Sequence, residues 1–504
     1  MEKQSKQQVL LSPRHSSGFP SRRSLIVLTL VLFNTLWILR TWLCQDAGSK
    51  PDLTQVQKCA IDNLHANTSF LDTASPISAD EFLERRDRLA RALVASGADA
   101  FVLEPGYTFQ YYANTSQVDW EPWEPEERPF LMLILPLVSE SGAVSAKTAF
   151  LAPHFEEGRV RMLGIPSHEP ELDIVIWEEH WDPYATLLQS HLFADWEARG
   201  HGKKPRLVID EEMRDFIARG LAHTGFETLG LTPEVELVRQ VKSPAEVELL
   251  RAVNTGTVVA VRTMRPCLVA GLTEDEVRDV LDAALLSVGF SLFFNIVLFE
   301  EDGALPHGGF VVGQKILTHE TMVVIDVGAH YLGYSSDICR SFFMDPVTQP
   351  KRTFLGSMIS FIKSMVLHPK PFEISRGNAE LHAEKLKVWD IVLEAQTAAA
   401  AEFRANNTAA AVDIAARKVI ENAGYGYGFT HRLGHGIGIK AHESPYLNKW
   451  NSKVTLQPGM TFTDEPGIYL EGKFGVRHED IYLVKEDAHA ELLTGRRAVG
   501  PYDP

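Results

Sequence analysis

The stretch from Met322 to Phe343, MVVIDVGAHYLGYSSDICRSFF, decides how the rest of the chain is read. Met322-Val323-Val324-Ile325 is an uninterrupted apolar run, as expected of a buried strand, and it leads straight into Asp326. A turn around Tyr331-Leu332-Gly333 follows, and Asp337 opens a second run, Ile338 to Phe343. Counting outward from Leu332 predicts a hairpin with the two aspartates roughly opposite each other, where Cβ atoms lie about 4.5–5.5 Å apart. Two carboxylates at that spacing can share a pair of cations about 3.5–4 Å apart.

The device recurs nearer the C-terminus. Glu465 precedes Pro466-Gly467-Ile468-Tyr469-Leu470, Glu479 follows Gly475-Val476-Arg477-His478, and Glu471-Gly472-Lys473 between them signals a turn. His435 sits in Gly434-His435-Gly436-Ile437-Gly438, whose glycines let backbone and ligand approach closely. Taken alone, each fragment is more often a cap, a solvated carboxylate or a loop. Together they are different, because four converging carboxylates and an imidazole repel one another unless cations lie among them. Oxygen-rich ligands with one nitrogen suit Mn²⁺, Mg²⁺, Zn²⁺ or Co²⁺. The ligand count exceeds what one ion needs, so a site for two divalent ions is the sharper reading.

On these segments the chain resembles the pita-bread metallopeptidases, in the branch of aminopeptidase P and prolidase (Xaa-Pro dipeptidase), over roughly residues 78 to 490. The resemblance implies an α/β N-terminal domain followed by an α+β pita-bread catalytic domain of the creatinase/aminopeptidase type. It implies that Asp326 holds one ion, that Asp337 and Glu479 bridge the pair, and that His435 and Glu465 complete the second. Two divalent ions per subunit follow, with Mn²⁺ preferred and Zn²⁺ or Co²⁺ compatible. His307, in Ala304-Leu305-Pro306-His307-Gly308, resembles the histidine that contacts the scissile peptide. His442, in His442-Glu443-Ser444-Pro445, resembles the one that stabilises the tetrahedral intermediate. Arg477 resembles the arginine beside the bridging glutamate, and His431 occupies another recurrent histidine position.

The implied activity is hydrolysis of Xaa-Pro bonds by a hydroxide activated at two metals. Oxyanion stabilisation falls to His307 and His442, and Glu465 moves a proton toward the leaving nitrogen. The implied partners are a peptide with proline after its N-terminal residue and a second copy of the chain in a homodimer. An inactive binding module on this fold, and a creatinase-like hydrolase of a non-peptide C–N bond, are the competing readings. Both branches lose metal ligands, whereas this chain keeps all five. His478 departs from the family, which more often has an aliphatic residue there; strand alternation predicts that it points away from the site. Residues 350–386 separate the second aspartate's strand from a helix expected at Val388–Phe403, and read as an insertion.

With 504 residues the chain can build two domains with sizeable cores, and its net charge of −17 argues against nucleic acid as a partner. Ser78 and Gly97 bracket a helix with an apolar stripe at Phe82, Leu83, Leu89, Leu93 and Val94. It opens an N-terminal domain at 78–235, in which Trp120, Trp123, Trp177 and Trp181 read as packing. Ser243-Pro244-Ala245-Glu246 and Thr273 with Glu276 are capping boxes that open helices of a catalytic domain at 243–495.

At the other end, Lys3, Lys6, Arg14, Arg22 and Arg23 make residues 1–23 a basic tail. Ser24 to Leu39 carries no charge, and residues 24–44 read as an uncleaved, single-pass transmembrane signal anchor. That places the catalytic domain in the lumen or outside the cell, after a stalk at 45–77; cleavage of the segment would make the protein secreted. In that compartment the sequons at Asn67, Asn114 and Asn406 become usable. Cys44 and Cys59 are candidates for a disulfide, and Cys339 for a buried free thiol.

Overall fold

The computed structural model describes residues 51–120, 128–194, 196, 204–345, 376–486 and 489–504. Asp52 accepts a hydrogen bond from the Thr54 amide and opens helix α1 (Leu53–His65). Ser78 does the same for helix α2 (Ala79–Ser96), which Gly97 ends in the left-handed region at φ 66°. Phe82, Leu89 and Leu93 face the core as their spacing predicts, whereas Val94 is exposed. Arg85 and Arg86 take buried positions on the same helix. Arg85 donates to Glu81, to the Tyr111 carbonyl and to the Tyr334 hydroxyl, tying α2 to the downstream half of the chain.

Helix α2 packs on a six-stranded sheet of order β4-β3-β2-β1-β5-β6. Its strands are β1 (Ala100–Leu103), β2 (Leu131–Val138), β3 (Val144–Pro153), β4 (Asp173–Trp177), β5 (Arg206–Ile209) and β6 (Glu227–Leu229). Strand β2 runs antiparallel to β1 and β3, and the remaining neighbours are parallel. This is the α/β layer expected of the N-terminal part. Trp120 and Trp177 are buried in it, Trp181 is exposed, and Trp123 lies outside the described residues.

Both expected capping boxes are formed, by Ser243 with Glu246 at helix α3 (Pro244–Met264) and by Thr273 with Glu276 at helix α4 (Glu274–Ser287). With α1, these helices cover a sheet of β7 (Ser291–Phe299), β8 (Val323–Tyr331), β9 (Tyr334–Ser335) and β10 (Ile338–Phe342). On the other side, helices α5 (Arg376–Ala400) and α6 (Ala409–Asn422) pack on a second group of strands. These are β11 (Gly434–Gly436), β12 (Glu443–Leu447), β13 (Thr461–Asp464), β14 (Gly467–Leu470), β15 (Phe474–Arg477), β16 (Asp480–Leu483) and β17 (Glu491–Leu492). Five of them form a sheet of order β12-β11-β13-β16-β17, and β14 pairs with β15. Each layer carries one of the two carboxylate-bearing hairpins to the boundary between them.

Helix α5 begins well before the expected Val388 and takes up the end of the segment read as an insertion; residues 346–375 lie outside the described residues. The expected stalk holds α1, whose Val56, Ala60 and Leu64 recur every fourth residue and are buried against α3 and α4. Cys59, on α1, is bonded to Cys267 just beyond α3, not to Cys44, because the packing of α1 brings those ends together. Cys339 is buried and free.

The membrane-anchored placement is corrected as well. Among the described residues no helix is long and apolar enough to cross a membrane, and residues 24–44, read as the transmembrane signal anchor, lie outside them. The uncharged run Ser24–Leu39 is also shorter than the roughly 20 apolar residues that a spanning helix needs. A membrane partner, a luminal or extracellular catalytic domain and a secreted form are therefore not carried forward.

Candidate metal centre and active site

Strands β8 and β10 meet through Leu332 and Gly333, both at positive φ (48° and 88°), the turn geometry that matches strand twist. The register pairs Asp326 with Cys339 and Val327 with Ile338. Asp337 is thus a diagonal neighbour of Asp326 on one face, not its direct partner. The turn is centred between Leu332 and Gly333, which shifts the pairing that counting from Leu332 predicts. The Asp337 amide donates to Asn254 Oδ1 at 3.2 Å, outside the ladder. The carboxylates converge all the same: oxygens of Asp326, Asp337 and Glu479 lie within 4.8 Å of one another.

The second hairpin follows the expected register closely. Asp464 pairs with Asp480 and Gly467 with Arg477, and the same register sets Glu465 opposite Glu479. The ladder opens at this point because Pro466 has no amide hydrogen to donate. The Glu465 amide instead bonds the Leu433 carbonyl, and the Glu479 amide the Cys339 carbonyl, each at 3.0 Å. Each glutamate is thereby stitched to another ligand-bearing segment.

His435, on β11, is fixed at both ends. Its amide donates to Thr463 Oγ1 and its Nδ1 lies against the Gly436 carbonyl, both at 3.0 Å. Nδ1 therefore carries a hydrogen, and Nε2 is turned toward Glu465 Oε1 at 3.3 Å and Asp337 Oδ2 at 3.6 Å. Turned toward these carboxylates, Nε2 is the ring nitrogen placed to bind a metal ion. Gly434 is required for this approach, since a Cβ there would come within 2.2 Å of the Thr463 carbonyl oxygen.

Burial and the neighbouring Asp326 and Glu465 push Asp337 well above the usual carboxylate range, and burial with Asp337 does the same to Glu479. Burial also raises Asp326, against the opposing charge of Arg477. At Glu465 burial is outweighed by the hydrogen bond and charge of His435, which bring it down to about 2. Arg477 bonds Asp326 Oδ2, while Asp326 Oδ1 is buried with no hydrogen-bond partner. The ligand atoms fall into overlapping sets, Asp326/Asp337/Glu479, His435/Glu465/Glu479 and Asp337/His435/His442. Glu479, Asp337 and His435 each belong to two sets. The donor types, the orphaned oxygen and the crowded anions fit divalent cations.

These residues form the floor of an open cavity of about 620 Å³, walled by Phe293, Phe294, Ile296 and Leu305. His307 and His442 are exposed at its lining, and His442 Nε2 lies 3.3 Å from Asp337 Oδ2. Partial burial of the ring, reinforced by the charge of Arg432, lowers the pKa of His442. Arg477 is buried and also donates to the Tyr469 hydroxyl at 2.6 Å and the Pro306 carbonyl at 2.9 Å. His431 bonds the same hydroxyl at 3.0 Å, and burial lowers its pKa to about 4. His478 faces away, with its ring 4.5 Å from that of Trp389, and burial takes its pKa down to about 3.

Sequence reasoning missed the support behind the ligands. Arg340 is fully buried and donates to Asp480 Oδ1 at 2.6 Å and to the Glu479 carbonyl. Gln396 from α5 bonds Asp480 Oδ2 at 3.0 Å. The available signal was a charged residue in each of the strand runs Ile338–Phe343 and Asp480–Leu483.

A carboxylate-and-histidine floor under an apolar, peptide-sized cavity defines a metal-dependent hydrolase. The sequence pattern of metallopeptidase family M24 matches residues 248–357 and 374–486. An uncharacterized peptidase of Schizosaccharomyces pombe is 34% identical over 464 residues, covering 90% of each chain. The Xaa-Pro dipeptidase of Pyrococcus furiosus is 30% identical over 262 residues, 52% of this chain and 65% of that one. The crystal structure of dipeptidase PepE from Mycobacterium ulcerans has 26% sequence identity and a TM-score of 0.65, covering 84% of this chain and 98% of that chain. The protein belongs to metallopeptidase family M24, and its catalytic half has the pita-bread fold. The two matched blocks leave out 358–373, inside the segment read as an insertion.

Proposed function

We propose that this metallopeptidase hydrolyses Xaa-Pro peptide bonds, with two divalent ions held by Asp326, Asp337, His435, Glu465 and Glu479. The observation that carries this reading is the overlap of the Asp326/Asp337/Glu479 and His435/Glu465/Glu479 sets at Glu479, the arrangement a pair of ions with a bridging carboxylate requires. The 30% identity to an Xaa-Pro dipeptidase supports the choice of substrate. When bound, such ions supply Lewis acidity and an acidified water.

The chain's own groups do the rest. His307 and His442, at the exposed side of the cavity, donate to the scissile carbonyl oxygen as charge develops on it. Glu465, kept ionised by His435, takes the proton released as water adds to the scissile carbonyl and passes it to the leaving nitrogen, which in an Xaa-Pro bond has no hydrogen of its own. Arg477 acts as a positioning residue, since its bond to Oδ2 fixes which oxygen of Asp326 faces the cavity. The aromatic wall of Phe293 and Phe294 limits water around the bond.

Purified protein supplied with Mn²⁺ is expected to release proline from Gly-Pro, to lose that activity with a chelator, and to regain it with the metal. Failure of metal-loaded protein to cleave either Gly-Pro or longer Xaa-Pro peptides would overturn the reading.

A further inference from the structure

The residues flanking His442 are held from outside the catalytic strands. Lys440, two positions before it, is buried, and its ammonium sits between Glu211 Oε1 at 2.5 Å and Glu212 Oε1 at 2.9 Å. Both glutamates lie just past β5 and so belong to the β1–β6 layer. Glu443, one position after His442, is buried and accepts from Arg239 Nε at 3.0 Å and from Lys242. Ser444 accepts from Gln240 Nε2 at 2.8 Å and donates to Glu236 at 2.7 Å. Arg239 links the two ends, because it also reaches Glu211 at 3.2 Å and Thr108 at 2.8 Å. Lys440, Arg239 and Lys242 thus face Glu211, Glu212 and Glu443 in one network of alternating charge. His442 is turned the other way, toward Asp337 Oδ2 and the ring of His435, 4.2 Å from its own.

We propose that Lys440 is a positioning residue, through which Glu211 and Glu212 of the upstream layer hold His442 in reach of the scissile carbonyl. This rests on the Xaa-Pro reading above and on the role given there to His442. As a source of stability the arrangement is a poor one. An ammonium loses much of its hydration on burial, while Glu211 and Glu212 stay exposed, where ion pairs return little. A methionine would fill the same space without that cost. What the charge supplies is a fixed place, since an ammonium caught between two carboxylates carries the backbone of Lys440 with it. That backbone is tied as well: the Gly438 amide donates to the Lys440 carbonyl at 2.9 Å, and Ser335 to the Ile439 carbonyl at 2.8 Å. Only Ala441 then intervenes before His442. Among the described residues none that lines the cavity comes from the β1–β6 layer, yet through Lys440 that layer reaches the active site.

The test measures Gly-Pro turnover by Mn²⁺-loaded full-length protein. Lys440→Met, and the pair Glu211→Gln with Glu212→Gln, leave every group at the metal floor in place. Each is expected to lower kcat by about 10–100-fold, the scale of a misplacement of about 1 Å. KM, bound Mn²⁺ and the melting temperature should stay near wild type. Lys440→Arg, which keeps the charge between the two acceptors, should recover most of the rate. Combining K440M with the glutamine pair should be no worse than K440M alone, because both remove the same link. In the residual activity of a His442→Ala background neither change should cost anything further. An unchanged kcat, a loss confined to the melting temperature, losses that add when combined, or an equal loss in the His442→Ala background would overturn the role of Lys440 while leaving the Xaa-Pro reading intact. A His442→Ala variant as fast as wild type, or wild type that cleaves neither Gly-Pro nor longer Xaa-Pro peptides, would instead remove the reading on which it rests.

Discussion

Glu465 and Glu479 stand opposite each other in a ladder that opens around them, with Asp464↔Asp480 on one side and Gly467↔Arg477 on the other. Because each amide bonds a different neighbouring segment, both side chains are set before any cation arrives. Replacing Glu479 by Gln removes the carboxylate shared by two of the ligand sets. The metal content by elemental analysis should fall below that of the wild type, and turnover by about 10³-fold or more. The chelated variant should be more stable than the chelated wild type by about 1–3 kcal/mol, since one of the crowded buried carboxyl groups is gone.

Stability should depend on pH in opposite senses with and without metal. In the metal-free fold Asp337 and Glu479 sit above their ordinary values of 3.8 and 4.5. A raised pKa means the native state binds protons more tightly than the unfolded chain, so this contribution is present below the unfolded values and lost as pH rises through the folded ones. Cations displace those protons, so the melting temperature gained on adding Mn²⁺ should grow from about pH 5 to 8. A gain that shrinks over that range would contradict the assignment of these groups.

The acid limb has a different origin. His478 and His431 are depressed from 6.5 to about 3 and about 4, so their contribution exists above the unfolded value and is lost as pH falls through those folded values. His478→Leu should flatten the loss of stability on that limb in urea titrations, with activity near neutral pH retained, since the ring packs on Trp389 and not at the site.

Arg477→Lys keeps the charge and loses the fork that reaches Asp326, Tyr469 and Pro306 together. A loss of about 10–100-fold in metal affinity is expected, measured by competition with a chelator of known affinity. Unchanged affinity would show that Asp326 needs no such support.

The glutamate pair was legible because its turn is symmetric about Gly472, from which Glu465 and Glu479 are equally distant in sequence. The aspartate pair was misjudged by a turn centred between two residues, a shift that only the positive φ of both Leu332 and Gly333 reveals. Helix α1 left a weak trace, because one position of its buried stripe is alanine and most of the rest of the segment is polar. Arg85 and Arg86 were out of reach: a buried cation is tolerated only through partners remote in sequence, such as Tyr334 for Arg85.

Exchanging Cys59 and Cys267 together for Ser should destabilise the fold by about 2–5 kcal/mol, read from denaturant melts under non-reducing conditions. None of the five candidate ligands lies on α1 or α3, so turnover at low temperature should be preserved.

That same bridge spans 208 positions of sequence and encloses the entire β1–β6 layer within a covalent ring. A protease that nicks any exposed loop of the layer severs the backbone without releasing either piece. The nicked molecule migrates as one species until a thiol opens the ring, and the catalytic half keeps its upstream layer through damage that would otherwise strip it away.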